Sequence, residues 1–234
     1  MKKEAEERIE SLAKLMFKSY YLVVFTGAGI STESGLPDFR GPDGVWTRKD
    51  KGLPPPQTSK PWHLYEPNQG HYAIVELQNI GKLKFLISQN VDNLHLKSGI
   101  KPELIAELHG NMTKLRCVRC GMIYDMPLGF TQCTCGGLLE PSTVAFGQPL
   151  PERDLMLAYE HSRKSDLFLV VGSSLVVTPA ADMPMEALQN GAKLVILNKG
   201  DTPFDRSAHL RFYEKIGDVL PAAVNRLKIL MGFA

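Results

Sequence analysis

A chain of 234 residues exceeds the roughly 150 of a typical single domain and falls short of two full ones, so one main domain with a smaller inserted module is expected. With 44% hydrophobic and 22% charged residues, and no apolar run near the roughly 18 that a membrane span needs, the composition is that of an ordinary globular protein with no membrane partner. A formal net charge of +2 without a dense run of Lys and Arg gives no signal for a nucleic-acid partner.

In chain order, the start MKKEAEERIESLAKLMFKS is charged and lacks the continuous apolar centre of a signal peptide, so a cytoplasmic protein is expected. Residues 3–19 place Ile9, Leu12, Ala13 and Met16 on one helical face, and YLVVF at 21–25 reads as a short buried strand leading into a glycine-rich turn. The next helix has Pro67 near its start, Ile74, Leu77 and Ile80 along one side and Gly81 just past its end, and it leads into the strand KFLISQN. LFLVVG (167–172), a helix from about Pro179 to Asn190 closed by Gly191, and KLVILN (193–198) repeat the alternation. A final helix after Gly217 carries Leu220, Val224, Leu227 and Met231.

Continuous apolar strands separated by helices predict an α/β fold, a Rossmann-like doubly wound parallel sheet that binds ligands at the carboxyl ends of its strands. The loops expected to carry chemistry are therefore TGAGIS, SQNVDNLH and VVGSSLVVTPA. Two segments interrupt the pattern. One, 41–66, contains GLPPPQTSKP and reads as a long loop or a much reduced helical lobe. The other, 111–145, holds all four cysteines of the chain, Cys117, Cys120, Cys133 and Cys135. Two closely spaced pairs on turn-forming sequence point to a small inserted zinc-binding module, with a redox pair as the alternative. Four protein thiolates leave no open coordination position, so this single zinc is expected to be structural.

The stretch TGAGISTESGLPDFRG (26–41) starts as a dinucleotide turn and departs from it, because Thr32 stands where the third glycine of G-x-G-x-x-G belongs and no strand arrives on schedule. Gly27 and Gly29 permit positive φ and close backbone approach, the amides from Ala28 to Ser31 can face a pyrophosphate, and Arg40 can add a charged donor.

GAGISTESGLPDFRGPDGVW, SQNVDNLH, ELHGNM, the paired cysteines and GSSLVVTPA, in this order, resemble the sirtuin family of NAD-dependent protein deacylases over nearly the whole chain. The short proline-rich segment after GVWT is most similar to the branch with a reduced helical lobe. The resemblance implies an NAD-binding domain from 1–40, 67–110 and 146–234, a cofactor loop at 41–66 and a zinc module at 111–145. It implies NAD contacts from Gly27, Ala28, Gly29, Ser31, Asp38, Phe39, Arg40 and Gln89, a ribose contact from Asn90, and nicotinamide contacts from Val91 and Asp92. Gly172, Ser173, Ser174, Asn198 and Ile216 would serve the adenosine side. Phe39 would shield the reacting ribose carbon from water.

His109 would be the general base, with Asn90 beside it. An imidazole of ordinary pKa about 6.5 suits proton removal from a ribose hydroxyl near neutral pH. Val144, Phe146, Gly147 and Val176 would clamp an acyl-lysine protein or peptide added as an extended strand. By the same resemblance NAD is consumed, and the products are free lysine, nicotinamide and O-acyl-ADP-ribose. Read alone, Asn90 and Asp92 favour a helix cap, a lone His109 favours a structural role, and the Ser173–Ser174 pair can serve both capping and binding.

Two departures stand out against the family pattern: the second cysteine pair is C-x-C in place of C-x-x-C, and Gln148 stands where Glu is usual. No Tyr-x-x-Arg pair occurs in 41–66, so an acetyl or longer apolar acyl group is expected over an acidic one. The competing functions are an NAD or ADP-ribose binding module with weak turnover and a mono-ADP-ribosyltransferase.

Overall fold

The structure, a computed structural model, describes residues 2–127 and 129–233. Helix α1 (Lys2–Lys18) precedes strand β1 (Leu22–Thr26), a 3-10 turn over Ala28–Ser34, and the short α2 (Val45–Asp50). Then follow α3 (Gln69–Asn79), β2 (Leu83–Ser88), α4 (Leu94–Ser98), β3 (Ile105–Glu107), and the three short strands β4 (Lys114–Cys117), β5 (Ile123–Asp125) and β6 (Leu139–Pro141). The chain ends through α5 (Glu152–Lys164), β7 (Leu167–Val171), α6 (Met183–Gln189), β8 (Lys193–Leu197), β9 (Leu210–Phe212) and α7 (Ile216–Leu230).

Six strands form one sheet in the order β3-β2-β1-β7-β8-β9, and every neighbouring pair is parallel. All five residues of β1 are buried because the sheet is covered on both sides. Leu22 and Val24 face the cluster shared with Leu12, Ile74 and Leu220 of α1, α3 and α7, while Val23 and Phe25 face the cluster shared with Ala158, Met183 and Ala187 of α5 and α6. That two-sided burial is why these strands read as unbroken apolar runs. The order reverses between β1 and β7, which makes their two following loops the switch point where such sheets bind ligands.

The sequence pattern does not anticipate α5, β3 or β9. Helix α5 is strongly polar and packs chiefly through Ala158 and Ser162, with Leu155 and Tyr159 half-buried. Strands β3 and β9 have three residues each, too short to show a period. The helix expected from Pro179 opens as a 3-10 turn, Ala180–Asp182, and becomes α-helical at Met183. Segment 41–66 contains α2 and a second 3-10 turn at Trp62–Leu64, and its prolines at 54–56 have no regular structure. Strands β5-β4-β6 form a separate antiparallel sheet that carries the cysteines.

Candidate active site and metal centre

The loops after β1 and β7 meet backbone to backbone. The Gly29 amide donates to the Gly172 carbonyl at 2.8 Å, and a Cβ on Gly29 would stand 2.7 Å from that oxygen and 2.8 Å from the Gly172 Cα. A Cβ on Gly27 would meet the same oxygen at 2.8 Å. Both glycines are therefore required by close approach; Gly27 has φ −127° and neither lies in the left-handed region, so the expectation of positive φ is corrected. Gly172 does adopt positive φ, 68°. The expected row of free amides is corrected too, since Gly29 and Ile30 already donate within the protein, Ile30 to the Gly27 carbonyl at 3.1 Å. The Ala28 amide remains without a protein acceptor among the described residues.

These loops, the end of β2 and the segment after β6 enclose a cleft of about 1320 Å³. Gly27, Ala28, Gly29, Ser31, Asp38, Phe39 and Arg40 line it from the segment after β1, Gln89, Asn90, Val91 and Asp92 from the loop after β2, and His109 from the turn after β3. Gly172, Ser173, Ser174 and Val176 follow from β7, Asn198 from β8, Ile216 from the start of α7, and Val144, Phe146 and Gly147 from the segment after β6. Every residue singled out from the sequence for cofactor, catalysis or substrate thus borders one space.

At its centre Ser31 joins two loops. Its hydroxyl donates to Asp92 Oδ2 at 2.6 Å and accepts from Asn90 Nδ2 at 3.2 Å. Asp92 Oδ1 also accepts the Leu94 amide at 2.9 Å, so the capping role and the position in the cleft coexist in one carboxylate. Burial raises the Asp92 pKa, with the Ser31 hydroxyl and the Leu94 amide opposing. Asn90 is buried and its Oδ1 has no partner among the described residues, a costly state for a carbonyl unless a ligand donor occupies it. Such a group fits a hydroxylated ligand such as a ribose.

His109 Nδ1 lies 2.9 Å from the Gln89 carbonyl oxygen. The neutral ring donates there, which leaves Nε2 as the basic nitrogen. Burial lowers the His109 pKa, so the neutral form dominates at pH 7. Gln89 is fixed in turn by its amide on the Thr26 carbonyl at 3.0 Å and its Nε2 on Ser173 Oγ at 2.8 Å. The His109 backbone is tied in turn by the Val144 amide, which donates to the His109 carbonyl at 2.9 Å.

Asp38 turns its carboxylate inward on its own loop, accepting the Gly41 amide at 2.9 Å, while Arg40 pairs loosely at 3.9 Å with the exposed Asp50. Asn198 Nδ2 donates to the Gly200 carbonyl at 2.8 Å. The segment 143–151, which carries the expected clamp residues Val144, Phe146 and Gly147, is not a strand here: Gly147 has φ 84° and the Ala145 amide is capped by Gln148 Oε1 at 2.8 Å. Phe146 and Val176 stand exposed beside the cleft.

Sequence reasoning missed Trp46, Trp62, Met112, Lys199, Asp201 and Glu214, which also line the cleft. Trp46 meets Phe146 edge to face at 5.5 Å between ring centroids, so α2 touches the substrate-side segment. A tryptophan isolated in a Pro- and Gly-rich stretch is the signal that points to it. Lys199 and Asp201 follow β8, where the rule about carboxyl ends of strands already applies.

In the small sheet the four cysteine sulfurs lie within 4.8 Å of one another, with Cys117–Cys135 at 3.5 Å and Cys120–Cys133 at 3.6 Å. Tetrahedral zinc with bonds of about 2.3 Å sets its sulfurs about 3.8 Å apart, so the set fits one ion despite the shortened second pair. The Cys135 amide and the Tyr124 hydroxyl, the latter 3.1 Å away, draw the Cys133 thiol down to about 6, toward the thiolate that zinc binds.

A parallel sheet whose two switch-point loops lock through glycines, beside a buried Asn-Ser-Asp cluster and a four-thiol module, defines a dinucleotide-site protein with a structural metal centre. The Sir2 family model matches residues 27–179, and the chain belongs to that family. It is 41% identical to the NAD-dependent protein deacetylase SRT1 of Arabidopsis thaliana over 95% of its own length but only 50% of that protein, so the chain spans about half of this plant relative. It is also 41% identical to the NAD-dependent protein deacylase 2 of Archaeoglobus fulgidus, over 96% of this chain and 98% of that one. A solved complex of Sir2 with a p53 peptide and NAD+ superposes with a TM-score of 0.73 at 34% identity, over 94% of this chain and 97% of that one.

Proposed function

We propose that the protein is an NAD-dependent protein-lysine deacylase, transferring the acyl group of an acyl-lysine to ADP-ribose with release of nicotinamide. The observation that carries the reading is the joint presence, around one cleft, of a buried unsatisfied Asn90 carbonyl and a neutral His109 whose Nδ1 is engaged and whose Nε2 is left basic. The names of the Arabidopsis and Archaeoglobus relatives and the peptide and NAD+ in the solved Sir2 complex support the same reaction. NAD would supply the electrophilic ribose carbon, to which the acyl oxygen bonds as nicotinamide leaves; the lysine amine departs after the ribose oxygen has attacked the acyl carbon, and one water completes the O-acyl-ADP-ribose.

In this reading Asn90 Oδ1 accepts a ribose hydroxyl and Asp92, held by Ser31 and Leu94, pairs the nicotinamide carboxamide beside Val91. His109 Nε2 removes a proton from the ribose diol so that the freed oxygen can attack the bound acyl carbon. Gly27, Ala28, Gly29, Arg40, Ser173 and Ser174 hold phosphates and adenosine ribose, with Asn198 and Ile216 at the far end. Phe39 covers the reacting carbon against water. The substrate backbone pairs with 143–148 on one side and the Val176 loop on the other, which would convert an irregular segment into a strand. The working parts are the sheet domain, the cofactor loop 41–66 and the zinc module 111–145. Among the described residues no helix is long and apolar enough to cross a membrane.

The test is direct. Incubation with NAD and equal amounts of acetyl-, myristoyl- and succinyl-lysine peptides should yield free lysine peptide and O-acyl-ADP-ribose from the first two. Preferred removal of succinyl would contradict the expected acyl class, and no acyl-ADP-ribose from any peptide would contradict the deacylase reading.

A further inference from the structure

The loop that follows β8 borders the cleft through Asn198, Lys199, Gly200 and Asp201, yet it has neither helix nor strand to hold it. Its anchor comes from β9. Arg211, in the middle of that strand, has a side chain only 12% exposed and is not among the residues that line the cleft. Its Nη1 donates to the Asn198 carbonyl at 2.5 Å and to the Phe212 carbonyl, its Nη2 to the Gly200 carbonyl at 2.6 Å, and its Nε to Asp205 Oδ1 at 2.8 Å. Four of the five guanidinium donors are thus spent on four different residues. The guanidinium carbon also sits 3.9 Å from the centroid of the Tyr213 ring.

The surroundings of Arg211 are themselves fixed. Asp205 Oδ1 accepts the Thr202 hydroxyl at 2.7 Å and Oδ2 the Thr202 amide at 3.1 Å. Burial works to raise the Asp205 pKa, but the Thr202 donors and Arg211 together hold it below the ordinary value, so a charged carboxylate faces the guanidinium. From α1, Arg8 Nη1 donates to the Arg211 carbonyl at 2.6 Å, and its Nη2 pairs at 2.5 Å with Glu214, which also lines the cleft. Asn198 Nδ2 donates to the same Gly200 carbonyl that Arg211 holds, so the Asn198 side chain and the guanidinium share one acceptor. A loop set in place before its ligand arrives loses less freedom on binding, and affinity gains accordingly. We propose, on the reading that this cleft binds NAD, that Arg211 is a positioning residue for the adenosine end of the dinucleotide: by holding the Asn198 and Gly200 carbonyls it presets the loop that borders that end. Lysine cannot replace it, because an ammonium is a single point of charge and the acceptors are spread around a planar fork.

The binding test needs no turnover. In the zinc-loaded chain, ADP-ribose affinity measured by calorimetry should weaken roughly tenfold in Arg211→Lys, the scale of one lost hydrogen bond to a charged group. KM for NAD should rise by a similar factor with kcat and KM for an acetyl-lysine peptide unmoved, since the adenosine end is held equally in the ground and transition states. Unchanged ADP-ribose affinity, even in a variant that unfolds at lower temperature, would reduce Arg211 to a structural residue and overturn the proposal. Parallel loss for NAD and peptide would do the same. A second measurement covers a variant that fails to fold. In the ligand-free parent, the backbone amides of Lys199, Gly200 and Asp201 should be as rigid as those of β8, with 15N order parameters of about 0.85, and values below about 0.6 would overturn the preset loop. Absence of deacylation by a parent whose ADP-ribose affinity still responds to Arg211→Lys would fault the functional reading and leave the positioning role standing.

Discussion

His109 and Gln89 are joined ring to backbone, Nδ1 to carbonyl oxygen at 2.9 Å, and this contact selects which imidazole nitrogen is free for chemistry. The proposed base must be neutral, so activity falls as pH drops through its pKa. Burial lowers that pKa, with the Gln89 contact opposing. The acidic limb of kcat/KM should therefore have its midpoint below the ordinary value of about 6.5. A midpoint above that value contradicts the assignment.

Gly29→Ala tests the lock between the two switch-point loops. The added Cβ would stand 2.7 Å from the Gly172 oxygen and 2.8 Å from its Cα, and both are backbone that cannot swing aside. Forced overpacking of this kind costs about 1 to 3 kcal/mol, and here it also opens the phosphate side of the cleft. Denaturant unfolding should show that loss of stability, together with weaker NAD binding. A variant as stable as the parent would mean that the loops do not pack this closely.

Zinc retention should depend on Tyr124 as well as on the four thiols. Its hydroxyl is 3.1 Å from Cys133 Sγ, and loss of an outer partner typically weakens a metal site by roughly ten- to a hundredfold. Tyr124→Phe should transfer zinc to a colorimetric chelator at lower chelator concentration than the parent. Cys135→Ser should lose the ion outright, and the three-stranded sheet with it. Zinc retained equally by parent and Tyr124→Phe would assign the hydroxyl no part in the site.

Stability should fall on the acid side in a window set by His71. Its folded pKa of about 4 lies below the unfolded value of 6.5, so the unfolded chain binds the proton more readily between the two. The stabilising contribution is complete above the unfolded value and is lost as pH falls from there toward about 4, a change of about 3 kcal/mol. Unfolding free energies of the parent and His71→Gln at several pH values should differ in slope across that window. Parallel curves would contradict a buried neutral His71.

What the sequence discloses and what it hides follow from range. Strands β1, β2, β7 and β8 are legible because burial on both faces makes each a continuous apolar run, and the three ligand loops follow from them. Helix α5 did carry readable signals, with Glu152 and Asp154 in its first turn and Arg163 and Lys164 in its last, but a mostly polar face masked its period. The glycines were recognisable and their reason was not, since contact with Gly172 spans more than 140 residues of sequence. The Trp46–Phe146 contact and the His71–His95 pair likewise join segments that only the fold brings together.

The most direct test is nicotinamide release from NAD by the parent and His109→Ala, each with and without an acetyl-lysine peptide. The parent should release nicotinamide only with peptide and form deacetylated product, while His109→Ala should lose product formation by roughly a hundred- to ten-thousandfold. Tight NAD binding with no peptide-dependent release, or product formed equally well without His109, would contradict the account.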